Sequence, residues 1–320
     1  MKKIFIALLT VLLCLSAVTA QAAWTPKKEI RILVAYNAGG QCDIFARKIA
    51  AIIQQKNLLP VAALVVNMTA GNTKEALNAL HNADPDGLTL MLHHSALSTM
   101  NALGQIQYTF KDFTNVCEVV ETTSTLSVSA DAKWKTFEEL LADAKAQKGA
   151  LKVALPGIGN VNHFSALNLL MQMGQQGLFK EIPYVGGADA ATAVMGKQVD
   201  LRYVFTTDVA RFVRSGAERV LLILNTEPLE EFFPGVPAAS KFGMKQAIIS
   251  RLGIMAPPKL PEEIRSALSL AVKQATETPE YQQFCKEQFS RSSYRDGPEW
   301  GKLQDADEAL IKEIAKSLKK

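Results

Sequence analysis

Two patterns of hydrophobic residues alternate along the chain. Short runs rich in Ile, Val and Leu alternate with longer stretches in which apolar residues recur every three or four positions. The first pattern predicts β-strands and the second predicts amphipathic helices. We therefore expect strands over residues 30–35, 62–66, 88–92, 151–155, 199–205 and 220–224, and helices over residues 43–55, 73–80, 137–147, 162–173, 261–276 and 298–317.

This alternation predicts an α/β fold whose parallel sheets carry helices on both faces. The length of 320 residues is enough for two domains of ordinary size. No Ser/Gly-rich linker divides the chain. We therefore expect the chain to pass between two lobes on strands, near residues 119–120 and 222–224.

The N-terminus has the order of a secretory signal peptide. Lys2 and Lys3 precede an uncharged apolar run over residues 4–15, and small residues follow up to Ala22. This order predicts cleavage after Ala22 and export to the periplasm. The residues before Cys14 are leucines, not the small residues of a lipoprotein signal, so a soluble product is expected.

Charge and cysteine content narrow the function classes. The net charge is +4, too weak and dispersed for a nucleic-acid surface. Three cysteines follow the signal peptide, and in an oxidising compartment we expect Cys117 to pair with Cys285, leaving Cys42 in a glycine loop.

No catalytic or metal-binding constellation stands out, so we expect no enzyme activity, no cofactor and no metal. His93 and His94 are adjacent on a predicted strand, where alternate side chains face opposite sides, so they are not expected to share a metal ion. A nucleophile elbow and a phosphate-binding loop with lysine are both missing from the sequence.

Three polar loops each join a predicted strand to a predicted helix, over residues 36–43, 67–73 and 156–163. In the first, paired glycines allow close approach of a ligand, and the following helix directs free N–H groups at the loop, which favours an anion. A tight turn capped by Asp43 explains the same residues equally well. The third is similar to a dinucleotide fingerprint but lacks its last glycine and its acidic partner, which argues against a nucleotide.

A series of different short motifs extends over nearly the whole chain after the signal peptide. They include Pro-Asp-Gly-Leu-Thr-Leu at residues 85–90, Gly-Ile-Gly-Asn-Val-Asn-His at 157–163 and Pro-Tyr-Val-Gly-Gly at 183–187, with further segments at 26–34, 38–43, 112–116, 197–201, 234–237 and 256–258. In this order they resemble the substrate-binding proteins of tripartite tricarboxylate transporters, the Bug receptor family.

The resemblance implies a two-lobe periplasmic-binding-protein fold of type II-like form, closing on ligand by a hinge. Lobe one would comprise residues 23–120 and 223–320, and lobe two residues 121–222. The implied ligand-binding residues come from both lobes: Asn37, Ala38, Gly39, Gly40, Gln41, Asp43, Gly71, Asn72, Thr73, His94, Ser95, Gly157, Ile158, Gly159, Asn160, His163, Gly186, Gly187, Ala188, Phe205 and Thr206.

Departures from the family pattern affect the expected ligand. The second loop lacks the usual arginine and glycines, so His94, Ser95 and Asn160 are candidate neutral donors. Val204 stands where family members often carry an acid, which favours a plain carboxylate over an amino acid.

The leading hypothesis is a monomeric receptor that captures a small organic acid and delivers it to membrane transporter subunits. A ligand-sensing receptor of a signalling system and an orphan binding protein without a transporter are the alternatives. A secreted enzyme with His163 or Asp43 as base is a further, weaker one.

Overall fold

Two mixed β-sheets flanked by helices make up the fold. The computed structural model describes residues 24–71, 73–184 and 186–318. The predicted signal peptide and the candidate site residue Asn72 therefore lie outside the described residues. None of the helices in the described ranges is long and apolar enough to cross a membrane.

All six predicted strands and all six predicted helices are observed, and the structure adds further strands and helices, so that strict alternation does not hold along the whole chain. The strands are β1 (Ile30–Val34), β2 (Ala63–Asn67), β3 (Thr89–His93), β4 (Thr114–Thr122), β5 (Ser124–Ser129), β6 (Lys152–Pro156), β7 (Lys180–Tyr184), β8 (Leu201–Phe205), β9 (Glu218–Ile223), β10 (Ser250–Ala256) and β11 (Arg291–Asp296). The helices are α1 (Gln41–Gln55), α2 (Lys74–His81), α3 (Ala96–Ala102), α4 (Phe137–Ala146), α5 (Val161–Gln172), α6 (Gly187–Met195), α7 (Thr206–Arg214), α8 (Glu262–Thr276), α9 (Pro279–Glu287) and α10 (Gly297–Ser317).

The sheets divide the chain into its middle and its two ends. The first sheet has the order β11-β4-β10-β3-β1-β2, and the second has the order β7-β6-β8-β5-β9. The chain passes from the first sheet to the second at Thr123 and returns between Ile223 and Ser250.

Both sheets are mixed, which corrects the expectation of wholly parallel sheets. Strands β1, β2 and β3 run parallel, as do β6, β7 and β8. Strand β10 is antiparallel to β3 and β4, and β5 is antiparallel to β8 and β9. Strand β5 enters its sheet directly from β4 of the other sheet, and β10 enters its sheet from β9 of the other sheet. Neither strand therefore ends a crossover connection within its own sheet, the kind of connection that joins parallel strands.

Apolar spacing explains how the helices pack. In α1, Phe45, Ile49, Ile52 and Ile53 are buried against the first sheet, as residues three or four apart on one helical face should be. Helix α10 packs against both halves of the molecule. Its last turns, with Ile311, join an apolar cluster that contains residues of α5 from the second half.

The predicted disulfide between Cys117 and Cys285 is wrong. Cys42, Cys117 and Cys285 are all unpaired and buried. Cys117 and Cys285 belong to one apolar cluster that also contains Tyr281. Burial raises the pKa of the Cys285 thiol to about 12, which keeps it protonated and poorly reactive.

Candidate functional site

A cavity of about 770 Å³ lies between the two halves of the molecule and is lined by both. Its size falls within the range of about 300–1,000 Å³ that is usual for small-molecule sites. Ten of the predicted site residues line it: Asn37, Ala38, Gly39, Gly40, Gln41, His94, Gly186, Gly187, Ala188 and Phe205. Each lies at or just beyond the carboxyl end of a strand, where ligands bind in open α/β sheets.

Asp43 shapes the first loop from beneath and does not line the cavity. Its buried carboxylate accepts hydrogen bonds from the Gly39 N–H at 2.9 Å, from the Arg47 guanidinium at 2.9 Å and from the Asn67 amide at 2.9 Å. Burial alone would raise the pKa of Asp43, but these hydrogen bonds hold that pKa below its usual value. Asp43 is therefore charged and fixes the loop as a rigid rim.

The start of α1 offers free hydrogen-bond donors to the cavity. Gly40 is the N-cap residue and, as a glycine, has no side chain that could accept from the first N–H groups of the helix. Gly39 has a positive φ of 79°, a conformation that favours glycine. In the part of the chain that the structure describes, no protein group accepts from the N–H groups of Gln41 and Cys42. Free N–H groups at a helix start attract anions.

The Gln41 side chain links the two halves of the molecule beside this helix start. Its amide nitrogen donates to the Thr122 hydroxyl on β4 and to the Thr207 hydroxyl on α7, both at 3.0 Å. Thr122 is the last residue of the first sheet before the crossing, and Thr207 belongs to the opposite wall. Gln41 therefore helps to fix the position of one cavity wall relative to the other.

A hydrogen-bonded chain fixes the protonation of His94. Its Nδ1 accepts from the Ala96 N–H at 3.1 Å, and burial lowers its pKa to about 3, so the neutral ring carries its proton on Nε2. The His93 Nδ1 donates to the His94 carbonyl at 2.8 Å, which leaves the His93 Nε2 to accept from the Tyr36 hydroxyl at 3.3 Å. His94 lines the cavity and is set to donate there.

The two histidine rings stack against each other, which corrects the expectation that they face opposite sides. Their centroids are 5.4 Å apart, and Tyr36 stacks on His94 at 5.1 Å. Strand β3 ends at His93, so the strict alternation of a strand no longer applies to His94. Among the described residues, no group of three His, Cys, Asp or Glu side chains could hold a metal ion.

The opposite wall is supported by a buried ion pair. Arg202, on β8, pairs with Glu218 at 2.9 Å, and both side chains are almost fully buried. The Arg202 guanidinium also donates a hydrogen bond to the Gly187 carbonyl at 3.2 Å. This contact positions the start of α6, where Gly186, Gly187 and Ala188 meet the cavity.

Helix α7 completes this wall with charged side chains that were not predicted as site residues. Asp208, Arg211 and Arg214 all line the cavity. The Arg214 guanidinium donates to the Glu287 carbonyl and lies 4.6 Å from the centre of the Phe289 ring, so it also bridges the two halves. The sequence did contain a signal for the start of this helix. Thr206-Thr207-Asp208 directly follow β8, and Thr and Asp are typical residues at helix starts.

The glycine loop of residues 157–160 does not line the cavity. Asn160 caps α5 through the His163 N–H, and the Gly159 N–H donates to the His163 Nδ1. A side chain at Gly159 would clash with Leu103 from the other half, so this loop makes a contact between halves. Ile158 is exposed.

The remaining predicted residues serve local structure. The Ser95 hydroxyl donates to the Ile249 carbonyl and accepts from the Arg251 N–H. Thr206 is buried, and its N–H donates to the Thr123 carbonyl. Thr73 is buried near Tyr36, and Gly71 is exposed. The Nε2 of buried His163 lies 3.3 Å from the Glu181 carboxylate, outside the cavity.

Comparison with known proteins decides the family. The model of the tripartite tricarboxylate transporter family receptor matches residues 46–318. The chain belongs to this family. Its members are solute-binding receptors rather than enzymes, so the predicted receptor class is confirmed.

Individual relatives agree with this assignment. A protein of Cupriavidus necator named "UPF0065 protein in gbd 5'region" is 29% identical over 281 residues, which cover 87% of this chain and 84% of that protein. A TctC solute-binding protein from Polaromonas has 25% identity and a TM-score of 0.76, over 91% of this chain and 99% of the other. MatC from Rhodopseudomonas palustris, solved with bound malate, shares the fold at 23% identity and a TM-score of 0.76, over 91% and 99%.

Proposed function

We propose that this protein is a periplasmic receptor that captures a small carboxylate in the cavity between its two halves and delivers it to a membrane transporter. The observation that carries the proposal is the row of free donors facing that cavity. The N–H groups of Gln41 and Cys42 and the Nε2–H of His94 lie on one wall, and Arg211 lies on the other. Charge-assisted hydrogen bonds to a carboxylate contribute about 1.5–3 kcal/mol each.

Relatives support the same ligand class. MatC, a protein of the same fold, was solved with malate, a hydroxylated dicarboxylate. The enzyme alternative loses its two candidate bases, because Asp43 is held by three donors beneath the loop and His163 lies outside the cavity.

The proposal includes the organisation of the receptor. Lobe one is the part built on the first sheet, and lobe two is the part built on the second. The hinge would lie at Thr123 and in the return segment between Ile223 and Ser250. We further propose that the receptor works as a monomer and that residues 1–22 are removed after export.

Calorimetry with a blocked cleft tests the proposal. The ligands are malonate, succinate, malate, glutarate, adipate and butyrate. We expect at least one to bind with a Kd near or below about 10 µM and to be recovered chemically unchanged. Ala188→Trp fills the cavity wall at the start of α6, and we expect it to weaken that binding at least ~100-fold.

A matched control separates blocking from misfolding. Ala142 is also an exposed helical alanine of the middle part of the chain, on α4 and outside the cavity. Ala142→Trp should bind like the wild type, and both variants should keep its melting temperature. Binding that survives unchanged in Ala188→Trp would place the ligand elsewhere, and the absence of binding by every carboxylate, plain or amino-substituted, would reject the ligand class.

A further inference from the structure

One wall of the cavity carries two opposite charges that take part in no hydrogen bond or ion pair among the described residues. Asp208 and Arg211 are three residues apart on α7, and both line the cavity. In the described part of the chain, neither side chain has a hydrogen-bond or ion-pair partner within reach. The neighbouring Arg202 is already engaged, because it pairs with Glu218 and donates to the Gly187 carbonyl.

The place of Asp208 in the cavity makes its free charge costly on closure. Its Oδ2 lies 3.8 Å from the point where a Cβ on Gly187 would stand, so the carboxyl sits over the start of α6. The Asp208 side chain is exposed in the cavity, but the protein around it still raises its pKa, although Arg202 and Arg211 act in the opposite direction. When the lobes close and water leaves, a carboxylate without a hydrogen-bond partner loses its hydration, and the two arginines offset only part of that loss.

A cation on the ligand would remove that cost. We propose that Asp208 binds a protonated amino group of the ligand, so that this receptor selects an amino carboxylate over the corresponding plain carboxylate. The ligand carboxylate would meet the start of α1, His94 and Arg211, as in the proposed function on which this inference rests. The absence of an acid at Val204, on β8, suggested the opposite, but Asp208 lies four residues further along the chain, in the first turn of α7, and supplies one.

A structural role for Asp208 predicts different results. Asp208 lies in the first turn of α7, where a carboxylate favours the helix dipole by about 0.3–1 kcal/mol. Asp189 occupies the equivalent first turn of α6, is exposed and does not line the cavity. A helix-stabilising role would show in unfolding and would not depend on the ligand, so Asp189→Asn is the matched control for Asp208→Asn.

Calorimetry with ligand pairs that differ by one amino group tests the inference. The pairs are succinate and aspartate, glutarate and glutamate, adipate and 2-aminoadipate, and butyrate and 2-aminobutyrate. In the pair that binds best, we expect the amino member to bind at least ~10-fold more tightly to the wild type and to Asp189→Asn. Asp208→Asn should remove that preference, Asp208→Glu should restore part of it, and all should unfold at similar temperatures.

The outcomes distinguish this inference from the proposed function. Plain carboxylates that bind as tightly as their amino partners would overturn the inference and leave the receptor function intact. A preference for the amino member that persists in Asp208→Asn would also overturn it. If no member of any pair binds, the proposed function fails, and the inference fails with it.

Discussion

The two adjacent histidines at the end of β3 are in opposite protonation tautomers, and this decides what His94 can offer a ligand. His93 carries its proton on Nδ1 and His94 on Nε2, because each ring has one nitrogen fixed by a backbone group. Burial lowers the pKa of His93 to about 4 and that of His94 to about 3. His94 therefore donates as a neutral group rather than attracting an anion by charge.

Imidazole ¹⁵N spectra test this arrangement. Between pH 5 and 8 we expect both rings to stay neutral, with His93 as the Nδ1–H tautomer and His94 as the Nε2–H tautomer. His93→Gln assigns the signals. A titration of either ring with a midpoint near the ordinary value of about 6.5 would show that the chain of hydrogen bonds does not form.

At the residue scale, sequence reasoning found the rim of the cavity but not its opposite wall. Residues 37–41 could be predicted because paired glycines after a strand allow close approach of a ligand, and Gly186–Ala188 were implied by the family resemblance. The role of Asp43 was left open between ligand contact and cap, and its three donors come from residues that only the fold brings together. Asp208 and Arg211 were not predicted as site residues, since the hydrophobic pattern had not predicted α7.

At the element scale, a buried charge network ties β4, β10, β11 and α10 next to the crossing. The Arg295 guanidinium contacts Glu118 at 2.7 Å and Glu121 at 3.0 Å, and Arg251 pairs with Asp307. Glu118 is fully buried, and burial raises its pKa to about 7 despite the two arginines. The folded protein thus holds a proton on Glu118 more tightly than the unfolded chain does.

This raised pKa predicts how stability changes with pH. The contribution of Glu118 is complete below its ordinary pKa of 4.5 and is lost as the pH rises through about 7. Relative to Glu118→Gln, the free energy of unfolding of the wild type should fall between pH 4.5 and 7, by up to about 3 kcal/mol. Urea denaturation at a series of pH values measures the difference.

The control is a carboxylate of the same network that remains exposed. Glu299 lies 3.9 Å from Arg295, and its side chain is 64% exposed. Glu299→Gln should follow the wild-type pH profile within about 0.5 kcal/mol. A Glu118→Gln profile that is parallel to the wild type would contradict the raised pKa.

Elements were predicted best where apolar spacing is regular. The predicted helix over residues 261–276 is observed as Glu262–Thr276, and the predicted helix over 298–317 as Gly297–Ser317. Strand β11 was missed because its sequence Arg-Ser-Ser-Tyr-Arg-Asp is polar, and it forms by pairing with β4. Its place in the sheet depends on partners distant in sequence, which local pattern does not report.

At the scale of the whole molecule, three of the contacts that join the two halves lie between residues far apart in sequence. Gln41 reaches Thr122 and Thr207, Arg214 reaches the Glu287 carbonyl, and the end of α10 packs on α5. The α/β class and the order of the motifs were readable from the sequence. The contacts between halves were not, because they join residues more than 70 positions apart whose meeting depends on how the sheets are placed.

Native mass spectrometry of the wild type and Ala188→Trp, each incubated with the same mixture of carboxylates and amino carboxylates, tests the central claim most directly. We predict that the wild type retains one small acid per chain, released with unchanged mass, and that Ala188→Trp shows only the bare chain. A wild type without adduct, or an equal adduct on both chains, would contradict the claim that this cavity captures a carboxylate.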